Sequence, residues 1–209
     1  MQNNLYAFTT LRSKKREIIL MNSLQTKSLT VLQESILKSS IVMMTYNMVE
    51  GVFYTLISSL FDFIIDNEIT FETLPKEFQE VYFSYYLKKI GSDSKKLSAF
   101  RNSKDLCKID CNDFLKKEKL FSGNLDAQKI REISKKFGIH IKHTPLGKDL
   151  KFIKDTRNKL AHGELSYSVA CRDFTFSEIV DKFKSCYKFM LLCTICFEQY
   201  VSKYILDSN

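Results

Sequence analysis

Only two prolines and six glycines occur in the 209 residues of this chain. Tight turns draw on those two residue types, so a meander or sandwich of many strands has little to build its corners from. A few long helices joined by short links are the architecture such a chain can form. With 44% hydrophobic and 27% charged residues, it has the material for an ordinary core and an ordinary wetted surface. The length suits one sizeable domain. The expectation is an all-α helical bundle in a single domain, with residues 1–14 a flexible N-terminal segment and 15–209 the helical body. Residues 91–124, lysine-rich and without a clear period, read as an insertion that could face a substrate.

Periodicity places the helices. A first helix is expected over about 15–37, with Ile18, Leu24, Leu29, Leu32 and Ile36 among its apolar positions, and a long one over about 40–66 after a break near Ser39-Ser40. Pro75, a favoured first-turn residue, opens a third that runs to about Lys89. Its aromatic positions Phe78, Tyr82, Phe83, Tyr85 and Tyr86 read as core and interface rather than as a base-stacking platform. Asp126 starts a helix over 127–137 that Gly138 stops. Thr175-Phe176-Ser177-Glu178 is a capping box, and it opens a terminal helix over about 176–205. The apolar run Ile41–Ile65 is long enough to span a bilayer. It contains Asn47, Glu50 and Asp62, however, and lacks flanking aromatic and basic belts, so a helix buried inside a bundle is expected and a membrane is not.

The most specific stretch is Arg157-Asn158-Lys159-Leu160-Ala161-His162-Gly163. It closes a segment with apolar residues at 150, 153, 160 and 161, a one-faced helix whose stripe is interrupted at 156 and 157. Gly163 supplies the left-handed stop. On that helix Asn158 and His162 are four residues apart and share a face, and Arg157 points about 100° round from Asn158. A guanidinium, an amide and an imidazole so close together suit a phosphodiester: a clamp for its charge, a hydrogen-bonding group and a group that moves a proton. The chain has three histidines in all. A capping role for Arg157 or His162, holding the last carbonyls of the helix, is the plain alternative.

This pattern resembles the HEPN superfamily, which is marked by an arginine, often followed by asparagine, and a histidine after a short spacer. The flanks agree. Gly163-Glu164-Leu165-Ser166-Tyr167 is similar to the tail of several HEPN families, and Asn124-Leu125-Asp126 with the helix ending Phe137-Gly138-Ile139 is similar to the segment preceding the motif in bacterial defence-associated members. Tyr46-Asn47-Met48-Val49-Glu50-Gly51 looks like the first core helix, which often carries an acidic residue facing the site. The resemblance extends over about residues 25–205 and is specific around 157–167. It implies an all-α fold, dimerisation through the motif helices, and in many members a metal-independent endoribonuclease. Some members have lost activity and serve as binding or assembly modules.

Catalytic roles accordingly fall to Arg157, Asn158 and His162, with Glu50 in support: a carboxylate in a buried helix needs a partner, and Arg157 is the candidate. Lys154 and Lys159 lie beside the motif and are candidates to bind RNA, a partner that the net charge of +8 also suits. No cofactor and no metal are expected. Cys107-x3-Cys111 with His140-x2-His143 is a loose zinc-like set, and Cys193-x2-Cys196 falls in the apolar terminal helix, where buried thiols are the default. Six cysteines, with no apolar leader in Met1–Arg16, point to a reducing, cytoplasmic setting. The resemblance implies an endoribonuclease that leaves 2′,3′-cyclic phosphate ends, acts as a homodimer, and serves as a toxin or antiviral effector held in check by an antitoxin or another defence-system protein. The alternative is an inactive module that binds RNA or a partner protein.

Overall fold

A computed structural model describes residues 2–24, 28–90, 111–117 and 124–207. Among them are seven α-helices and no strand: α1 Gln2–Leu24, α2 Val31–Asp66, α3 Lys76–Ile90, α4 Cys111–Lys117, α5 Ala127–Lys136, α6 Leu150–Ala161 and α7 Phe176–Asp207. A short 3-10 turn, Phe71–Thr73, joins α2 to α3. Most of the stretch read as an insertion, and with it Cys107, lies outside the described residues.

The first two helices begin and end elsewhere than their apolar pattern suggested. Residues 2–14, expected to be a flexible segment, are helical in α1, with Ala7 and Leu11 buried. The break expected at Ser39-Ser40 lies about ten residues earlier. Thr30 is the N-cap of α2, and its capping box with Gln33 is closed on both sides: the Gln33 N–H donates to Thr30 Oγ1 (3.3 Å) and the Thr30 N–H to Gln33 Oε1 (2.9 Å). The two serines sit inside the helix because their hydroxyls find other partners. Ser40 donates to the Ile36 carbonyl one turn back (2.9 Å), and Ser39, fully buried, donates to the Tyr167 carbonyl (2.8 Å).

Helix α2 packs against α1, α6 and α7 and forms the axis of the bundle. It is long and apolar enough to cross a membrane, yet half of its most apolar window is buried inside the protein. Where α2 meets α3, α4 and α5, the ring of Phe61 packs on Tyr82 (5.9 Å), Phe114 (4.9 Å) and Phe137 (6.1 Å), and Phe78 on Phe137 (5.0 Å). Edge-on and offset pairs of this kind contribute about 0.5–1.5 kcal/mol each beyond area burial, so this cluster fixes how the short helices sit on α2. From α7 come Phe183, Phe189, Met190, Cys193 and Phe197, all buried.

Helix α2 also holds the chain on either side of α6. Downstream, the buried Lys38 donates its ammonium to the carbonyls of Phe174 (2.5 Å) and Arg172 (3.4 Å). Upstream, the Leu125 N–H donates to the Tyr46 hydroxyl (2.9 Å). One long helix is thus the reference against which both approaches to α6 are measured.

Candidate active site

Helix α6 buries Leu150, Ile153, Thr156 and Leu160. Thr156 therefore continues the apolar stripe that the sequence showed as interrupted, and only Arg157 departs from it. The helix ends as Gly163 dictates. At φ 71° that residue lets the Glu164 N–H reach the Lys159 carbonyl (2.9 Å) and its own N–H reach that of Leu160 (3.2 Å), the two bonds of a Schellman motif. His162 is the C-cap and is exposed. Among the described residues no side-chain hydrogen bond or ion pair reaches its imidazole.

Arg157 lies over the ring of Tyr46, with its guanidinium carbon 4.8 Å from the ring centre. Nη1 donates to Asn158 Oδ1 (3.1 Å), and Nη2 stands 3.8 Å from Glu50 Oε2, beyond hydrogen-bond reach. Both members of that pair are about a quarter exposed, at 23% and 24%. Ion pairs so wetted contribute about 0–1 kcal/mol, less than stacking on a ring can, so Glu50 matters more for aim than for stability. Nε is buried without a hydrogen-bond partner. With one bond committed to Asn158 and only a loose counter-charge, the guanidinium keeps donors for an incoming anion.

Asn158 turns its amide two ways. Its oxygen accepts from Arg157, and its Nδ2 donates to Asn124 Oδ1 (3.2 Å). Its side chain does not orient His162; the link between them is the backbone bond from the His162 N–H to the Asn158 carbonyl (2.9 Å). Lys154 is committed elsewhere, to Asp126 Oδ2 at 2.8 Å, while Lys159 is exposed. Burial pulls the Asp126 carboxyl up, but the Lys154 ammonium and the backbone N–H groups of Lys129 and Gln128 outweigh it and hold the group below its usual range. Lys154 is raised in return, chiefly by its bond to Asp126. The Tyr46 hydroxyl is driven far up, first by burial and then by the nearby Glu50 carboxylate, against the Leu125 N–H and Arg157. It therefore stays protonated at neutral pH.

Three of the expected residues thus come together, Arg157, Asn158 and Glu50, while His162 caps the same helix and is joined to Asn158 through the backbone. Tyr46, Asn124, Leu125 and Asp126 belong to the same assembly, although the sequence assigned none of them a place at the site. Tyr46 had a signal, since it lies four residues before Glu50 and so shares its face of α2. The pairing of 124 and 126 with α6 crosses about thirty residues and leaves no local trace. Among the described residues no three His, Cys, Asp or Glu side chains gather to hold a metal ion; Cys107, one of the four residues of the zinc-like set, lies outside them.

The model of one protein family, HEPN_MAE_28990-like HEPN, matches residues 7–205. No curated protein and no solved structure matches the chain.

Proposed function

The chain belongs to the HEPN_MAE_28990-like HEPN family, a superfamily assignment that carries a nuclease or RNA-related role, and on that premise we propose that it is a metal-independent endoribonuclease. The observation that carries this reading is the Arg157 guanidinium, seated on Tyr46 and hydrogen-bonded to Asn158, one helical turn from an exposed histidine at a glycine-closed helix end. In the reaction the ribose 2′-oxygen bonds to the adjacent phosphorus as the bond from phosphorus to the 5′-oxygen breaks. One proton leaves the 2′-hydroxyl and one reaches the departing 5′-oxygen. His162 moves a proton, Arg157 stabilises the charge growing on the phosphate oxygens, and Asn158 hydrogen-bonds phosphate or ribose. The products are a 2′,3′-cyclic phosphate and a 5′-hydroxyl; DNA, lacking the attacking group, resists.

A single imidazole serves as base or acid at one moment, not both. Two copies of the chain with their α6 ends juxtaposed would supply one of each, which favours a homodimer with a composite cleft. A toxin or antiviral effector restrained by an antitoxin or another defence protein is the role that fits such an enzyme. A non-catalytic module binding RNA or a protein is the second reading, and one observation favours it: among the described residues the hydrogen bond and ion pair of Arg157 go to Asn158 and Glu50, not to His162.

The deciding experiment is cleavage of a panel of tRNA and single-stranded RNA in EDTA by the wild type and by His162→Ala. Cleavage by the wild type alone, leaving cyclic phosphate ends, is expected. Equal cleavage by His162→Ala, or loss of wild-type cleavage on chelation, would sink the mechanism; binding without turnover would establish the module.

A further inference from the structure

Three consecutive residues, Asn124-Leu125-Asp126, meet the motif helix and α2 at successive positions. Asp126 Oδ2 accepts from Lys154 Nζ (2.8 Å), Asn124 Oδ1 accepts from Asn158 Nδ2 (3.2 Å), and between them the Leu125 N–H donates to the Tyr46 hydroxyl (2.9 Å). The spacing is self-consistent. Two residues of extended chain advance about 6.6 Å, and four residues of α-helix about 6 Å, so positions 124 and 126 fall opposite 158 and 154 in register. Asp126 has extended backbone angles, φ −129° and ψ 177°. Side chains of an extended stretch alternate, and here Leu125 is buried while its two neighbours address α6.

We infer that Asn124-Leu125-Asp126 is a positioning strip for the site, and that Asn124 is a positioning residue acting on Arg157 through Asn158. The Asn158 amide has two orientations a half-turn apart. A guanidinium only donates, so the Asn158 oxygen faces Arg157 Nη1, and the Asn158 nitrogen on the far side is anchored by the Asn124 oxygen. The guanidinium is thereby held over the Tyr46 ring with donors left for a phosphate. Asp126 fixes the register from the other end, because it also caps α5 by accepting from the Lys129 N–H (2.9 Å).

This inference rests on the nuclease reading for its kinetic readout but not for its structural one. The variants Asn124→Ala, Asn158→Ala and the double substitution are compared by single-turnover RNA cleavage, by anisotropy with a 2′-O-methyl RNA that cannot be cut, and by NMR of side-chain amides. Loss of one orienting hydrogen bond is expected to lower the cleavage rate about tenfold in Asn124→Ala, with affinity for the uncut RNA changed less than about twofold. The double variant is expected to be no slower than Asn158→Ala alone, as for residues acting in series. In Asn124→Ala the Asn158 side-chain amide signals are expected to shift and to exchange faster with solvent, whether or not the protein cuts RNA. Multiplicative losses in the double variant, or unchanged Asn158 amide signals, would overturn the positioning role. A wild type that cuts nothing while Asn158 still responds to Asn124→Ala would overturn the nuclease reading and leave the strip standing.

Discussion

Two arginines of this protein are seated alike and surrounded differently. Arg131 on α5 lies over Phe189 with its guanidinium carbon 4.9 Å from the ring centre, and Arg157 on α6 lies over Tyr46 at 4.8 Å. Each has a buried Nε without a hydrogen-bond partner. A ring face is the common way to carry a guanidinium on apolar surface. The differences begin at the next atoms. Arg131 has only a long bond from Nη2 to the Leu146 carbonyl (3.5 Å), and among the described residues no carboxylate pairs with it. Arg157 has an amide, a carboxylate across from it, and a second amide holding the first. The glycines beside them differ in the same sense. A Cβ on Gly147 would lie 2.8 Å from Phe189 Cγ, whereas one on Gly163 would meet nothing within 4 Å. The Arg131 corner is closed by packing, and the Arg157 corner is polar and open. A stacked arginine alone says nothing about function; the groups arranged around its free donors do.

The sharpest way to break this contrast is to remove each arginine. Arg157→Ala is expected to lower RNA cleavage by about 10²–10³-fold, the loss typical of a donor aimed at transition-state charge. Arg131→Ala is expected to leave cleavage per folded molecule within about twofold and to cost about 1–3 kcal/mol in stability, read from urea midpoints. Similar activity losses in both would show that the two corners do not divide structure from chemistry. The glycines come next. Gly147→Ala combines a steric clash with a φ of 82° and is expected to cost about 2–4 kcal/mol, a drop of roughly 5–15 °C in melting temperature. Gly163→Ala carries the backbone penalty alone, about 1 kcal/mol. Equal losses would mean that the end of α6 is as tightly packed as the Gly147 turn.

The smallest effect depends on pH. Asp126 is held below its usual range in the folded protein, against about 3.9 for an unfolded carboxyl. A depressed folded value stabilises above the unfolded one, and that contribution disappears as pH falls through the folded one. Asn at 126 keeps a helix-capping acceptor but loses the pairing with Lys154. Asp126→Asn is therefore expected to be less stable than the wild type near neutral pH, with the gap closing below about pH 4. A gap that holds constant from pH 7 to 3 would show that the Lys154 pairing contributes nothing.

How much of this could be read in advance varies with the distance over which each signal acts. The stops at Gly138 and Gly163, the Asp126 cap and the Thr175–Glu178 box were legible because each is closed within five residues. The boundary between α1 and α2 was misread for a reason of the same kind. Ser39-Ser40 looks like a break, but Ser39 is satisfied by the Tyr167 carbonyl 128 residues away, while the Thr30–Gln33 box, equally local, marks the true start. The helical start at Gln2 could not be inferred from a polar, basic stretch, since Ala7 and Leu11 are buried only once the other helices are present.

At the site the division follows the same line. Sequence alone determined that Arg157 and Asn158 lie on one helix with His162 at its end, and that Gly163 stops it, because helical spacing and a left-handed stop are local properties. It also marked Glu50 as a carboxylate in need of a partner. Only the tertiary structure decided that Tyr46 carries Arg157, that Lys154 pairs with Asp126, and that Asn124 accepts from the amide of Asn158. Those contacts join α2, α6 and the 124–126 strip across 28 to more than 100 residues. Nothing in the local pattern records them, because it is the packing of the helices that brings their partners within reach.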